Sequence, residues 1–293
     1  MNHSEHTSEY IGRFAPSPTG LLHLGSLVAA VASYCDAMKN KGKWLVRIED
    51  IDPPREIMGA SKGILSTLNA YGFNFSKDVL FQSTRNQIYE TILERLKKTN
   101  ATYKCKCSRS TLKNISIEYH ECRQKNLKFS PPFHIKCKVP NLEINFEDLI
   151  QGIKKYNLFE CGDFILKRSD GYFAYQLAVV TDDYCQGVTH IVRGIDLIDS
   201  TPWQMLLNSL LGFHQPQYAH IPILTNELGQ KLSKQTFAKE ITHENPLQTL
   251  IKAYSFLNQS PFVETPKTIN QFWQHAIKHW KLNKIAKVHS IKI

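Results

Sequence analysis

The chain has 293 residues, of which 42% are hydrophobic, so it can build one large or two modest folded domains, and this composition excludes a disordered protein. No run of about 18 apolar residues occurs, and the first residues lack the basic-then-apolar order of a secretory signal; we therefore expect a cytoplasmic protein with no membrane partner. Its 36 Lys and Arg residues exceed its 26 Asp and Glu residues, and the net charge of +10 favours a polyanionic partner without identifying it.

Turn-forming residues near the N-terminus separate a short apolar strand from an apolar helical run. The pattern predicts a strand at residues 10–14, a helix at 24–38 and a second strand at 44–48. Strand, helix, strand is the crossover unit of an open parallel α/β sheet, which indicates a Rossmann-like fold whose ligands bind beyond the carboxyl ends of the strands. Because a helix N-terminus binds phosphate, the loop before residue 24 is a candidate nucleotide site.

The rest of the chain divides into segments with different patterns of apolar and polar residues. Helical periodicity covers residues 59–72, 85–99 and 202–212, and several small helices are expected between residues 245 and 283. Apolar stretches predict strands that return to the same sheet at residues 164–166, 173–180 and 190–192. We therefore expect a first half of the α/β domain at 1–100, an insertion at 101–160, a second half at 161–240 and a small helical C-terminal region at 241–293.

Three of the seven cysteines cluster in the predicted insertion. Cys105, Cys107 and Cys122 fit a zinc knuckle, because a tetrahedral site needs four close nitrogen, sulfur or oxygen donors. We expect one structural Zn²⁺ per chain. The fourth donor is open between the phenol of Tyr119 and the imidazole of His120, and general metal chemistry favours the imidazole.

Charged side chains stand at the ends of three predicted strands. Arg13 ends the first strand, Glu49 follows the second, and Arg193 follows the strand at 190–192. Since side chains at the carboxyl ends of parallel strands converge on one crevice, these residues predict an amino-acid pocket. Arginines pair with carboxylates and a glutamate pairs with an ammonium group, so the pocket suits an amino acid that bears two carboxylates.

Six motifs follow one another along the chain: RFAPSPTG, HLGS, RIEDID, FAYQLAVV, HIVRG and KLSKQ. Through them the chain, from residue 11 to about 240, resembles the catalytic core of the glutamyl-tRNA synthetases, which are class I aminoacyl-tRNA synthetases. One departure is Ser26, which stands where many class I signatures have a second histidine.

The resemblance assigns expected roles to residues at these motifs. It implies that ATP, accompanied by Mg²⁺, binds at His23, Gly25, Ser26, Lys231 and Lys234. Of these, His23 and Lys234 are the expected catalytic residues, since fixed donors stabilise charge on the reacting phosphates. It also implies that glutamate binds at Arg13, Phe14, Ala15, Pro16, Ser17, Glu49, Tyr175 and Arg193.

Only a short stretch follows KLSKQ, whereas the full-length enzymes continue with an anticodon-binding region, so we expect a chain that does not read an anticodon in the usual way. In this respect the chain resembles a stand-alone branch of the family, the glutamyl-Q tRNA(Asp) synthetases. The branch implies a monomeric ligase that activates glutamate with ATP in the absence of tRNA and transfers it to the queuosine base of tRNA(Asp). It also implies Tyr119 as the fourth zinc ligand. Two alternatives stay open: a glutamyl-tRNA synthetase that charges a tRNA 3′ end, and a catalytically silent tRNA-binding protein.

Overall fold

The computed structural model describes residues 9–75, 78–108, 111, 120–125, 127, 129–232 and 239–293. These residues contain the following strands: β1 Ile11–Phe14, β2 Lys43–Ile48, β3 Leu80–Phe81, β4 Thr102–Cys105, β5 His134–Cys137, β6 Glu143–Asp148, β7 Gly152–Asn157, β8 Phe164–Lys167, β9 His190–Gly194, β10 Gln217–Ile221, β11 Ile223–Thr225 and β12 Ser290–Lys292. They also contain the following α-helices: α1 Leu24–Lys39, α2 Ala60–Ala70, α3 Asn86–Lys98, α4 Glu121–Lys125, α5 Leu158–Cys161, α6 Tyr175–Cys185, α7 Thr201–Leu211, α8 Pro246–Ser255 and α9 Ile269–His279.

A seven-stranded sheet forms the centre of the fold, in the order β3-β2-β1-β9-β10-β6-β7. All neighbouring strands are parallel except the edge hairpin of β6 and β7. From β1 the chain proceeds outwards to β2 and β3, and it later returns to the other side of β1 with β9 and β10. The strand order therefore reverses between β1 and β9, and such a reversal opens a crevice at the carboxyl ends of the strands. The predicted Rossmann-like parallel sheet is confirmed.

Helices cover both faces of this sheet. On one face α1 packs with α8 and α9 around side chains such as Leu27 and Trp273. On the other face α6 lies over β1 and β2 and packs with α3 and α7 around Leu93 and Leu177. Burial of apolar side chains on both faces holds the strand ends rigidly, which fixes the crevice between them.

The helices predicted at 24–38, 59–72, 85–99 and 202–212 are confirmed as α1, α2, α3 and α7. Two predicted strands, in contrast, were wrong in type or in position. Residues 173–180 lie mostly in α6, whose residues from Gln176 to Asp183 are all buried. A helix that is buried on every side carries a continuous apolar run, so periodicity does not separate it from a buried strand.

The strand predicted at 164–166 exists as β8, but it does not join the central sheet. It pairs with β5 in a separate antiparallel sheet of order β4-β5-β8. The segment 101–160 therefore begins in this small sheet and ends with the β6–β7 hairpin at the edge of the central sheet. Near the C-terminus, β12 pairs with β11. No helix in the described part of the chain is long and apolar enough to cross a bilayer.

Candidate active site

A cleft of about 1520 Å³ lies at the carboxyl ends of β1, β2, β9 and β10. It brings together every described residue predicted for glutamate or ATP: Arg13, Phe14, Ala15, Pro16, Ser17, His23, Gly25, Ser26, Glu49, Tyr175, Arg193 and Lys231. The remaining predicted residue, Lys234, lies outside the described residues. The cleft therefore collects side chains that are up to about two hundred positions apart in the sequence.

The N-terminal motif folds into a cap on helix α1. His23 is the N-cap residue, and its Nδ1 accepts the backbone N–H of Ser26 at 3.3 Å. In return the Ser26 hydroxyl accepts the backbone N–H of His23 at 2.8 Å, which completes a capping box. Because Nδ1 is an acceptor, the imidazole proton resides on Nε2, so the ring presents a donor at the positive end of the helix dipole.

Gly25 leaves room for this imidazole. A Cβ atom at position 25 would lie 3.1 Å from Cε1 of His23, tighter than nine in ten such contacts in proteins. Ser26 takes the place of the second histidine of many class I signatures, and its hydroxyl performs the capping. The motif thus combines a helix N-terminus with an oriented donor, which is an arrangement suited to phosphate.

Beside the capped helix, two arginines on the sheet share a buried carboxylate from α6. Arg13 contacts Asp183 with an Nε–Oδ1 distance of 3.3 Å, and Arg47 contacts the same oxygen from Nη1 at 2.8 Å. Arg47 also lies 3.4 Å from Glu49 and is fully buried. Neither Arg47 nor Asp183 was assigned to the site from the sequence, because their pairing joins segments 136 positions apart.

The ionisation of the two carboxylates differs because their partners differ. Burial alone would raise the pKa of Asp183, but the charges of Arg13 and Arg47 outweigh it and hold the pKa below its usual value. For Glu49 burial dominates over the same two arginines, and its pKa is raised. An ammonium group bound in the cleft would restore the balance at Glu49 by favouring the ionised carboxylate.

Arg193 reaches the cleft from β9 and meets Tyr175 at the start of α6. The Nη1 atom of Arg193 donates to the phenol oxygen at 3.4 Å, and Nη2 donates to Thr201 Oγ1 at 2.9 Å. Burial raises the pKa of Tyr175, so the phenol is protonated at neutral pH. On the side away from the cleft, Nε of Arg193 donates to His220 at 3.0 Å, a contact between adjacent strands that local sequence patterns do not reveal.

At the far side of the cleft, Lys231 is the described lysine of KLSKQ. Its Nζ lies 2.6 Å from Asp196 Oδ2, in the turn that follows Arg193. Residue 231 also bridges Thr225 of β11, which ties the start of the motif to the sheet of β11 and β12. The pairing places a lysine ammonium group at the cleft edge.

Four potential metal ligands meet in the small antiparallel sheet and the adjoining α4. The donor atoms of Cys105, Cys107, His120 and Cys122 lie within 4.8 Å of one another. The Cys107 and Cys122 sulfurs are 3.7 Å apart, close to the roughly 3.8 Å edge of a tetrahedron with Zn–S bonds of about 2.3 Å. Tyr119, the fourth ligand that the resemblance implies, lies outside the described residues, whereas His120, the alternative, completes the described set.

The imidazole of His120 is oriented by hydrogen bonds on both sides. Its Nε2 lies 3.5 Å from Cys105 Sγ and 3.4 Å from Cys107 Sγ. Its Nδ1 lies 3.2 Å from the hydroxyl of Tyr103, which in turn donates to Asp163 at 2.9 Å. This chain fixes the ring with Nε2 towards the thiols, as in histidine ligands oriented by an outer hydrogen bond. Three thiols and one imidazole are a donor set that fits zinc.

Comparison with known proteins gives a consistent result across the chain. The family model described as "tRNA synthetases class I (E and Q), catalytic domain" matches residues 11–246. A "Glutamyl-Q tRNA(Asp) synthetase" of Neisseria meningitidis serogroup C is 47% identical over 289 residues, covering 95% of this chain and 98% of the relative. One of the same name from Acinetobacter baylyi is 46% identical over 286 residues, covering 97% and 96%. The crystal structure of glutamate-tRNA synthetase from Elizabethkingia anophelis superposes with a TM-score of 0.82 at 25% identity, covering 98% of this chain and 68% of that one.

Proposed function

The chain belongs to the class I tRNA synthetases of the glutamate and glutamine type, and on that premise we propose that it activates glutamate with ATP and transfers the glutamyl group to the queuosine base of tRNA(Asp). The main structural support for this proposal is the cleft beside the capped N-terminus of α1. It is lined by Arg13, Glu49, Tyr175 and Arg193. The names of relatives that match nearly the whole chain support the acceptor. These names favour transfer to queuosine over charging of a tRNA 3′ end. The assembled cleft argues against a catalytically silent RNA-binding protein.

Glutamate fits the charges that line the cleft. Glu49 suits the α-ammonium group, and the edge formed by Arg193 Nη1 and the Tyr175 hydroxyl suits a carboxylate. Arg13 contacts Asp183 through Nε and Nη2, and its guanidinium group adds positive charge to the lining of the same cleft. The two carboxylates and the ammonium group of glutamate thereby lie next to groups of complementary charge, and this positions the reacting carboxylate towards the nucleotide.

The activation step needs positioning and charge stabilisation. A carboxylate oxygen of glutamate attacks the α-phosphorus of ATP, and the bond to the bridging oxygen of pyrophosphate breaks, giving glutamyl-adenylate. His23 at the N-terminus of α1, with Lys231 and Lys234, stabilises charge on the phosphates during this displacement. Mg²⁺ bound to the nucleotide neutralises part of that charge.

In the transfer step, a hydroxyl oxygen of the queuosine cyclopentene ring attacks the carbonyl carbon of the adenylate. The bond between that carbon and the AMP oxygen breaks, AMP leaves, and the hydroxyl proton passes to solvent. Neither step needs a covalent bond to the protein, so the cleft acts through orientation.

For the metal centre we propose one structural Zn²⁺ held by Cys105, Cys107, Cys122 and Nε2 of His120. Four protein donors close the coordination shell and leave no open position for catalysis. Cys105 and Cys107 also line the cleft, so the ion would stiffen the wall contributed by the small sheet. Elemental analysis of purified protein should give about one zinc per chain, and H120A should lower the zinc content more than Tyr119→Phe.

The function is tested by two assays with the intact protein. ATP–pyrophosphate exchange with glutamate should proceed without tRNA. Radiolabelled glutamate should then be incorporated into tRNA(Asp) that contains queuosine and not into the same tRNA without it. Exchange that depends on tRNA would favour charging of a 3′ end, and an absence of exchange under all conditions would favour the silent RNA-binding protein.

A further inference from the structure

Three neighbouring parallel strands carry polar side chains in a row near their carboxyl ends. Arg193 of β9 and His220 of β10 are direct partners in the strand register, and Asp148 ends β6 on the other side of β10. The side chains of His220 and Asp148 have no exposed surface. Burial of polar groups is unfavourable unless they are hydrogen-bonded, so each of these side chains is expected to have hydrogen-bond partners inside the protein.

The hydrogen bonds along the row determine where the protons are. Arg193 Nε lies 3.0 Å from His220 Nε2, and His220 Nδ1 lies 2.5 Å from Asp148 Oδ2. An arginine Nε always carries hydrogen, so Nε2 of His220 must be the acceptor. The imidazole proton therefore resides on Nδ1, where it is donated to Asp148, and the ring is neutral. Burial, together with the charge of Arg193, lowers the pKa of His220 to about 4, which agrees with the neutral ring.

The other oxygen of Asp148 anchors the row to the backbone. Oδ1 accepts the N–H groups of Ile150 at 3.0 Å, Gln151 at 2.8 Å and His220 at 3.1 Å. These three donors fix the carboxylate, so Oδ2 is always directed at the imidazole. An ionised Asp148 consequently selects one tautomer of His220.

At the opposite end, the guanidinium of Arg193 is held in one orientation. Nη2 donates to the carbonyl of Leu197 at 3.3 Å and to Thr201 at 2.9 Å, while Nε donates to His220. Among the described residues, Nη1 contacts only the hydroxyl of Tyr175, so one of the five guanidinium donors remains for a ligand in the cleft. The other imidazole tautomer would direct an N–H at the Nε–H of Arg193 and displace this edge.

We propose that Asp148 and His220 are positioning residues for the substrate carboxylate: Asp148 fixes the tautomer of His220, and His220 holds the Nη1 edge of Arg193 towards glutamate. This inference rests on the proposed function, because glutamate is the ligand that Arg193 would bind. A neutral His220 also leaves the charge of Arg193 uncancelled, in contrast to Arg13 and Arg47, which share Asp183. The uncancelled charge favours a carboxylate over an uncharged amide.

The decisive variant is D148N, which preserves shape. The three backbone donors will take the amide oxygen, so the amide NH₂ will face His220 and impose the opposite tautomer. We expect the KM for glutamate in pyrophosphate exchange to rise about 10- to 100-fold, while the KM for ATP changes less than about twofold. D36N is the matched control, because Asp36 is a buried carboxylate that accepts hydrogen bonds from Tyr10 and Trp280, away from the cleft residues. Its glutamate KM should equal that of the wild type.

A double-variant cycle separates positioning from a general structural effect. If Asp148 acts through the imidazole, D148N should add nothing to the glutamate KM in an H220Q background, where the glutamine oxygen accepts from Arg193. Additive losses, or a D148N protein whose glutamate KM stays within about twofold of wild type, would overturn the inference.

The tautomer is measured independently of activity. In protein labelled with ¹⁵N-histidine, two-bond proton–nitrogen correlations at pH 7 should show the His220 ring, identified by its loss in H220Q, protonated on Nδ1 only. In D148N the proton should move to Nε2. An Nε2–H or doubly protonated ring in the wild type contradicts the inference. A wild type with the expected tautomer and no exchange contradicts the proposed function instead.

Discussion

Three guanidinium groups approach the cleft from the central sheet, and their charges are balanced unequally. Arg13 and Arg47 share Asp183 and have Glu49 nearby, whereas Arg193 has a neutral imidazole as its buried neighbour. Asp183 anchors the first two, of which Arg13 also lines the cleft, whereas Arg193 keeps its full charge for a ligand. Replacing Asp183 and Glu49 one at a time should therefore distinguish an effect on stability from an effect on glutamate binding.

D183N should destabilise the fold, and E49Q should impair binding. D183N removes the shared partner of two buried arginines, and loss of one member of a buried pair costs about 3–5 kcal/mol. E49Q removes a 3.4 Å contact from Arg47, which keeps Asp183, so its free energy of unfolding should fall by less than about 1 kcal/mol. Its KM for glutamate should nevertheless rise at least about tenfold. Urea unfolding and pyrophosphate exchange give the two quantities, and equal losses of stability in both variants would contradict this division.

The buried His220 also predicts an acid dependence of stability. Its pKa falls from 6.5 to about 4 on folding, so between these values the unfolded chain binds a proton that the folded chain does not. The free energy of unfolding should therefore decrease as the pH falls from about 6.5 to about 4, with a contribution from His220 of about 3 kcal/mol. Urea titrations at several pH values should show a shallower acid slope in H220Q. Parallel slopes in the two proteins would show that His220 titrates normally.

At the level of elements, the cap of α1 both stabilises the helix and fixes the position of His23 in the cleft. The Ser26 hydroxyl accepts the backbone N–H of His23, and the backbone N–H of Ser26 donates to Nδ1 of the His23 ring. S26A removes only the hydroxyl that accepts the backbone N–H of His23, so it should lower the free energy of unfolding by about 1 kcal/mol, the usual net value of one hydrogen bond. It should also raise the KM for ATP, because the backbone that carries the His23 ring loses this anchor.

T268A is the control for the S26A prediction. Thr268 caps α9 by accepting the N–H of Gln271, so its loss should cost similar stability. The KM for ATP should be unchanged, because α9 packs on the outer side of α1. An ATP effect of equal size in both variants would mean that destabilisation alone disturbs nucleotide binding.

The helices and strands differ in how well the sequence could predict them. The strand–helix–strand unit at the N-terminus was predicted nearly to the residue, because each element there has its own boundary signals and its own periodicity. Helix α6 was mistaken for a strand because it is buried on all sides. The strand β8 was assigned to the wrong sheet because pairing depends on distant partners that local patterns do not encode.

The same limit applies to the candidate site. The convergence of Arg13, Glu49 and Arg193 on one cleft could be predicted, because strand ends can be recognised locally and meet at one edge of a parallel sheet. Asp148 and His220 were missed because they are 72 positions apart and neither belongs to a recognisable motif. The spacing of the cysteines did not show that the imidazole of His120 faces the thiols, and the fold does.

For the whole molecule, the net charge of +10 is distributed unevenly. Residues 265–293 contain six lysines and no acidic residue. In this C-terminal stretch Lys278 and Lys281 are exposed, and Lys39 at the end of α1 lies beside them, with its Nζ 2.6 Å from the carbonyl of Lys278. An exposed cluster of this kind attracts phosphate, and each phosphate contact releases counterions and adds to the salt dependence of RNA binding.

The double variant K278Q/K281Q should therefore weaken the use of tRNA without affecting adenylation. We expect the KM for tRNA(Asp) to rise several-fold, and the slope of its logarithm against the logarithm of salt concentration to decrease by about 1 to 2, since each lost contact removes about 0.7–0.9 from the slope. Pyrophosphate exchange without tRNA should equal that of the wild type, because neither lysine lines the cleft. The control K98Q/K155Q removes the same charge from α3, on the opposite face of the sheet, and from the edge strand β7. Equal effects of both double variants would mean that tRNA responds to net charge alone, whereas a selective effect would place the RNA backbone along the C-terminal lysines.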